Sequence, residues 1–466
     1  MKKLALYLAS VLAVIAFAPE ASALPLFARQ TGMACSACHF QHFPMLNSFG
    51  RAFKAGAFTM MGAQSQVEGD GISIPSALNM AVLATMGYSK NNSDNQATSD
   101  AKNGTALNAQ GVRSAGDGSV YVPGTNGEFS LFVGGHVSDN AGALAELGMV
   151  NDAGTGAGLS SAKMPMLWEV ADATRAGLVP FTTGDKGASY GYEVLNTGAN
   201  AIHTMLFVGG DFNNSVAPIL SAQQYISTGT QATGATIVVN NPGYFVSLTK
   251  FNQIGPADLG GTNGALTSTY LRAAGTFDLA GWDTGVGVQS WSGTSTSVAF
   301  SDIVSATVPP VAEVTPTFGQ SETKATAIDG QMQGEWNKMP LGFYVTYARA
   351  PANTSAGIDC ATAGIICNAY NGGTDTRSSF NLSAELGVIP EKATIGFGIR
   401  RGKSGVAVGS SANASDNAWL IEGSFKLAQN MLLNLVYTSQ SGDFWDANAI
   451  AGTGSKQTTL NLATLF

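Results

Sequence analysis

Leu78-Asn79-Met80-Ala81-Val82-Leu83-Ala84-Thr85-Met86-Gly87-Tyr88 decides the fold. Leu78, Met80, Val82, Ala84, Met86 and Tyr88 share one face, while Asn79, Ala81, Thr85 and Gly87 lie on the other, with Leu83 the exception. Period two over this length predicts a strand, long enough to cross a membrane obliquely. The pattern recurs along the chain. Phe129, Leu131, Val133, Gly135 and Val137 lead to a turn at Ser138-Asp139-Asn140, and Ala143, Ala145, Leu147 and Met149 lead away from it. Further hairpins turn at Asp278-Leu279-Ala280-Gly281, near Asn337-Lys338-Met339-Pro340, at Ile389-Pro390-Glu391-Lys392 and at Ala428-Gln429-Asn430. Between hairpins run polar stretches such as Asn91 to Ser119, which cannot bury a core and read as exposed loops.

Composition supports the same reading. Charged residues make up 12% of the chain, against roughly 25% in an average soluble domain. Mean hydropathy is +0.11, yet beyond residue 23 no apolar run is long enough for a membrane helix. The apolar residues are therefore dispersed in alternation, as a transmembrane β-barrel requires, one face of each strand meeting lipid and the other the lumen. Tyr88, Trp336, Tyr344, Trp419 and Tyr437 near strand ends suit interfacial girdles, and the final strand, Thr458 to Phe466, ends on an aromatic residue. A soluble β-sandwich or β-helix would need neither feature. At roughly two dozen residues per strand and loop, residues 73–466 predict an all-β barrel of about 16 antiparallel strands. The net charge of −8 argues against nucleic acid and suits cations.

The N-terminus reads as a secretory signal: Met1-Lys2-Lys3, an apolar run from Leu4 to Phe17, then Ala21-Ser22-Ala23. Residues 1–23 are thus expected to be removed, placing the mature chain in an oxidising compartment and the barrel in an outer membrane. A short membrane anchor is the alternative, and the Ala-x-Ala site argues against it. Residues 24–72 then form a small separate segment, too short for an independent core. It carries Cys35-Ser36-Ala37-Cys38-His39. Two thiols three positions apart suit thioethers to a haem, and the adjacent histidine suits the iron. A zinc site would want a second cysteine pair nearby, and a redox disulfide a βαβ pattern; both are absent. One covalent haem c follows, with Cys35 and Cys38 as attachment points and His39 as proximal ligand. A helix from Pro44 to Ala55 with Leu46, Phe49 and Phe53 as its apolar stripe would pack on the porphyrin. So small a segment cannot cover both haem faces, and the barrel lumen is expected to supply the rest, holding the haem about midway.

Phe27-Ala28-Arg29-Gln30-Thr31-Gly32-Met33, Cys35-Ser36-Ala37-Cys38-His39-Phe40-Gln41-His42-Phe43-Pro44, Leu46-Asn47, Phe49-Gly50-Arg51 and Phe53-Lys54 together resemble the fused monohaem cytochrome–porin family of outer-membrane iron oxidases of iron-oxidising bacteria. The resemblance covers roughly Pro25 to Met60; the remainder is similar in architecture alone. It implies an oxidoreductase that oxidises extracellular Fe(II) and passes the electron through the haem to a periplasmic carrier such as a soluble c-type cytochrome. The rival readings are a porin for small solutes with the haem as structural plug, and a cytochrome exporting electrons to external acceptors.

Several site residues stay open on sequence. Met60 and Met61, beyond the helix, are the leading candidates for the distal ligand, ahead of Met33, Met45 and His42, the last close in chain to His39. Arg29, Arg51 and Lys54 suit haem propionates, or equally a polar lumen. Cys360 and Cys367 suggest a disulfide within an external loop. His136 and His203 fall on expected strands in lumen-facing structural roles. The acidic residues are scattered, and no iron-binding set stands out among them.

Overall fold

The computed structural model describes residues 25–62, 64–70, 72–91, 119–124, 126–149, 158–198, 221–256, 265–301, 315–353, 367–446 and 455–466. The proposed signal peptide, His203, Cys360 and most of the 91–119 loop lie outside the described residues. Alternating apolar and polar positions build 16 antiparallel strands that close into a barrel. In chain order they are β1 (Met80–Asn91), β2 (Ser119–Pro123, resumed at Phe129–Ser138), β3 (Ala141–Gly148), β4 (Gly158–Lys163, resumed at Met166–Ala171), β5 (Thr174–Thr183), β6 (Ala232–Asn241), β7 (Tyr244–Asn252) and β8 (Ser268–Leu279). There follow β9 (Trp282–Ser292), β10 (Ala325–Trp336), β11 (Met339–Ala350), β12 (Arg377–Ile389), β13 (Ala393–Ser404), β14 (Ser415–Ala428), β15 (Met431–Ser441) and β16 (Lys456–Leu465). Each pairs with the next, and β16 returns to β1 in register from Gln457↔Asn91 to Leu465↔Leu83. Closure leaves the barrel wall itself without an edge strand among the described residues.

The strand opening the sequence reading spans Met80–Asn91 rather than Leu78–Tyr88. Its two faces are largely as expected: Leu78, Met80, Met86 and Tyr88 are exposed, while Asn79, Ala81, Thr85 and Ser89 are buried; Ala84, expected on the exposed face, is buried. The rest of the wall follows suit. Leu382, Ile395, Phe397, Trp419 and Ile421 face out and exposed, whereas Asn381, Thr346, Glu385, Asn434 and Gln440 face in and buried. Apolar outside and polar inside is the inverse of a soluble protein and defines a membrane barrel. Tyr344 departs from the expected girdle. It is fully buried on the inner face, and its hydroxyl accepts a hydrogen bond from Gln333 Nε2 at 3.1 Å.

In an up-and-down barrel alternate connections share a rim, so the tight turns Asp139-Asn140, Ala280-Gly281, Asn337-Lys338 and Gln429-Asn430 gather at one end. Asn337 and Lys338 both have positive φ, 50° and 65°, matching the twist of the strands they join. The longer connections lie at the other end. Two of them share a small extra sheet in which Thr315–Glu322, after β9, pairs with Thr294–Ser301 and with the short strand Cys367–Asn368, after β11.

Of the stretches that fold inward, two bear on the site. Between β5 and β6 the chain from Lys186 to Thr197 is almost wholly buried, pinned to the wall by Arg272. That side chain, on β8 and 0% exposed, donates to Glu193 Oε2 at 2.9 Å and to both oxygens of Asp329 on β10 at 2.5 and 2.9 Å. The other is residues 25–62, which pack on inward-facing wall residues. They carry an unexpected helix at Pro25–Thr31, and the expected one runs Ser48–Ala55, not from Pro44. The reason is local: the Asn47 side chain accepts the Gly50 N–H and caps the helix there, while Phe40 to Met45 instead form a short extended loop closed by the Phe40 N–H to Met45 carbonyl bond.

Candidate functional site

Cys35 to Cys38 form one helical turn, and His39 N–H closes it on the Cys35 carbonyl. Asn47 binds this turn to the following helix: its Nδ2 donates to the Ala37 carbonyl at 3.0 Å, and its backbone N–H to that of Cys38. Gly50 completes the fit, because a Cβ there would sit 2.1 Å from the Cys38 oxygen. Backbone cannot yield to such a contact. Gly50→Ala is expected to destabilise the seating of the cysteine turn by about 1–3 kcal/mol, read as faster limited proteolysis between residues 33 and 62 with barrel migration on unheated gels unchanged.

The chemistry of the donor set suits a c-type haem. Cys35 and Cys38 lie half-buried on one turn, and burial together with the neighbouring Cys35 pushes the Cys38 thiol up. His39 Nδ1 lies 3.1 Å from the Met45 carbonyl, so Nδ1 carries the proton and Nε2 keeps the lone pair. Tying one ring nitrogen to a carbonyl is how proteins orient a metal-ligating histidine. Burial holds this imidazole down to about 4 against the pull of the Met45 carbonyl, keeping it neutral. Beside it a cleft is lined by Cys35, His39 and Phe43 from the segment and by Met431, Leu432 and Leu465 from the wall.

The position of the motif differs from expectation. Cys35 Sγ lies 4.0 Å from the carbonyl of Gln429, in the β14–β15 turn, and Gln41 Nε2 donates to the carbonyl of Pro340, just after the β10–β11 turn. The motif therefore sits at the tight-turn rim, not midway along the lumen, because turn carbonyls supply its contacts.

The other predicted residues scatter. Met60 and Met61 do not line the cleft beside His39; the Met60 carbonyl instead accepts from Gln30 at 2.9 Å. Met45 is fully buried against Tyr344 and Leu420 of the wall. Met33 is half-buried just before the motif. Arg51 is taken up by the Asp283 carboxylate at 2.5 and 2.7 Å and by Gln333, and Arg29 by the Met80 carbonyl. Burial lowers Lys54 to about 8, opposed by Glu193. His136, on β2, has Nδ1 3.0 Å from the Thr59 carbonyl, the structural role expected of it. Of the cysteine pair 360 and 367, only Cys367 falls within the described residues.

Sequence reasoning missed the partners of His42. Its Nε2 meets Glu385 Oε1 at 2.5 Å and its Nδ1 the Phe43 carbonyl at 2.7 Å, so both ring nitrogens are engaged away from His39. Burial alone would lower this imidazole, but Glu385 and Glu422 outweigh it and raise it to about 9. Asn196 was missed too: it accepts the Leu46 N–H at 2.8 Å and donates to the Leu46 carbonyl at 2.9 Å, joining the two inward stretches. The available signal was that Glu385 falls on the polar face of the alternating strand Arg377–Ile389; nothing in the sequence marked Asn196.

A closed barrel with an apolar exterior and a filled polar lumen defines the class: a transmembrane β-barrel of the outer-membrane type. Solved chains similar to it are outer-membrane porins and channels. They include a loop-deletion mutant of OmpT of Vibrio cholerae (8% identity, 84% of this chain and 99% of that one, TM-score 0.44). Others are OmpF of Salmonella typhi in complex with daunomycin (9%, 86% and 100%, 0.46) and the channel DcaP of Acinetobacter baumannii (8%, 84% and 97%, 0.47). No protein-family model and no curated protein matches the sequence.

Proposed function

We propose that this chain is an outer-membrane electron-transfer protein that oxidises extracellular Fe(II) through one haem c attached at Cys35 and Cys38. The observation carrying the reading is the cysteine turn followed by His39, whose Nδ1 is fixed by the Met45 carbonyl. When bound, the haem supplies one-electron redox chemistry; the protein supplies position, ligation and dielectric. His39 would offer Nε2 to the iron, Asn47 and Gly50 would keep the turn rigid, and Phe43 with the wall residues Leu432 and Leu465 would exclude water from one side of the cleft. The distal ligand is proposed as Met60 or Met61 from their place in the chain beyond the helix, although neither lines the cleft beside His39; His42 is the weaker choice given its bond to Glu385. The tight-turn rim faces the periplasm in bacterial barrels, so the motif sits where a soluble c-type cytochrome can take the electron. The acidic chain favours a cationic donor entering the lumen.

Mixing the oxidised protein with Fe(II) near neutral pH is expected to reduce the haem, while a His39→Ala variant stays oxidised. A wild-type haem that ignores excess Fe(II) yet is reduced at once by dithionite refutes iron oxidation. Cys360 and Cys367 are proposed as a disulfide dispensable to this step; linked peptides in the unreduced protein are the expected mass-spectrometric result.

One observation favours a second reading, a porin for small solutes. A cleft opens at the tight-turn rim, lined by Arg51, Arg175, Asn241 and Asp283 together with apolar Val194 and Phe245. Steady ionic conductance in planar bilayers would support it; a closed barrel supports the electron-transfer reading.

A further inference from the structure

We infer that His42, Glu385 and Glu422 form a site for one divalent first-row transition-metal ion, such as Fe(II) or Mn(II), inside the barrel. The three side chains come from the segment just after the cysteine motif, from β12 and from β14, and all three are buried. Their candidate ligand atoms lie within 4.8 Å of one another. Ligands at about 2.1 Å from a common ion stand about 3.4 Å apart, so the 2.5 Å His42–Glu385 contact must open slightly and the longest separation close slightly.

The independent observation is what these groups lack. Glu422 is 2% exposed, yet neither of its carboxylate oxygens has a hydrogen-bond partner, and Glu385 Oε2 has none either. Native interiors satisfy nearly all buried polar atoms, and a buried carboxylate without compensation costs several kcal/mol. Three orphaned oxygens beside one imidazole are the coordination an ion would complete. One imidazole nitrogen with carboxylate oxygens suits Fe(II), Mn(II), Co(II) or Zn(II), rather than Cu(I), which prefers sulfur. Because one ligand belongs to the N-terminal segment and two to the wall, the ion would staple the segment in place. The inference does not depend on iron oxidation, and the ion is a resident of the lumen whether or not Fe(II) is the electron donor.

The test uses the full-length protein in detergent, stripped with chelator and titrated with Mn(II) alone. The EPR signal of free Mn(II) is expected to vanish up to one ion per chain. Glu422→Gln and Glu385→Gln, which keep size and shape, are expected to weaken binding about tenfold or more. Pulsed EPR of the Mn(II)-loaded wild type should show one imidazole nitrogen, a readout needing no variant. No stoichiometric uptake, uptake unaffected in both variants, or no nitrogen coupling overturns the site, leaving a proton shared between His42 and the two carboxylates.

Discussion

A chain with Cys35 and Cys38 both replaced by alanine is expected to carry no covalent haem and to lose electron transfer entirely, while its barrel still closes. The two halves of this expectation have separate physical origins. Attachment requires both thiols on one turn beside a ligating histidine, and the fold provides that within residues 35–39 alone. Barrel closure rests on the ladder from β1 round to β16, to which neither cysteine contributes a strand residue. Peroxidase staining on denaturing gels reads the first half; the migration of unheated samples reads the second. Staining that persists at the size of the mature chain sinks the haem assignment, and with it the electron-transfer reading. The further metal site would survive, because His42, Glu385 and Glu422 are untouched.

The contrast between these halves explains what the sequence made legible. Strand faces and tight turns are local properties: period two at Leu78 to Tyr88 and the Asn337-Lys338 turn each sit within a few residues of their cause. The cysteine motif is local as well, and its residues fall on one turn. Contacts across the lumen are not local. Period two says that Glu385 faces inward but not what it meets, and His42 lies 343 residues away in the chain. The same applies to Arg51, offered to a propionate and found on Asp283. Nor did composition reveal that Lys186 to Thr197 would turn into the barrel, since its burial follows from partners on β8 and β10. The helix start was misplaced for a smaller reason. Proline tolerates a first helical turn, but Asn47 caps better, so the helix waits until Ser48.

Arg272→Ala is expected to cost about 3–5 kcal/mol, the largest structural effect of any single substitution in the lumen. The guanidinium is fully buried and joins Glu193 of the inward stretch to Asp329 of the wall. Asp329 also accepts from Gln289 Nε2 at 3.0 Å and from Thr197 Oγ1 at 2.7 Å, so it does not lose every partner. Its negative charge and that of Glu193 would nonetheless face each other with no guanidinium between them, Glu193 keeping only the weaker pull of Lys54. Repulsion then frees the inward stretch first, and through Asn196 it loosens Leu46, next to the Met45 carbonyl that orients His39. Arg272→Lys recovers the charge but not the fork that reaches two carboxylates at once, so it should fall between wild type and alanine. Hydrogen exchange should rise in residues 186–198 and 45–47, with the outer wall little changed. The decisive comparison is the triple change Arg272→Ala, Glu193→Gln, Asp329→Asn, which removes the cation and both anions together. It is expected to regain much of the lost stability, since the penalty lies in uncompensated buried charge rather than in lost attraction. If the triple variant is no more stable than Arg272→Ala alone, packing of the arginine stem, and not its charge, holds the lumen together.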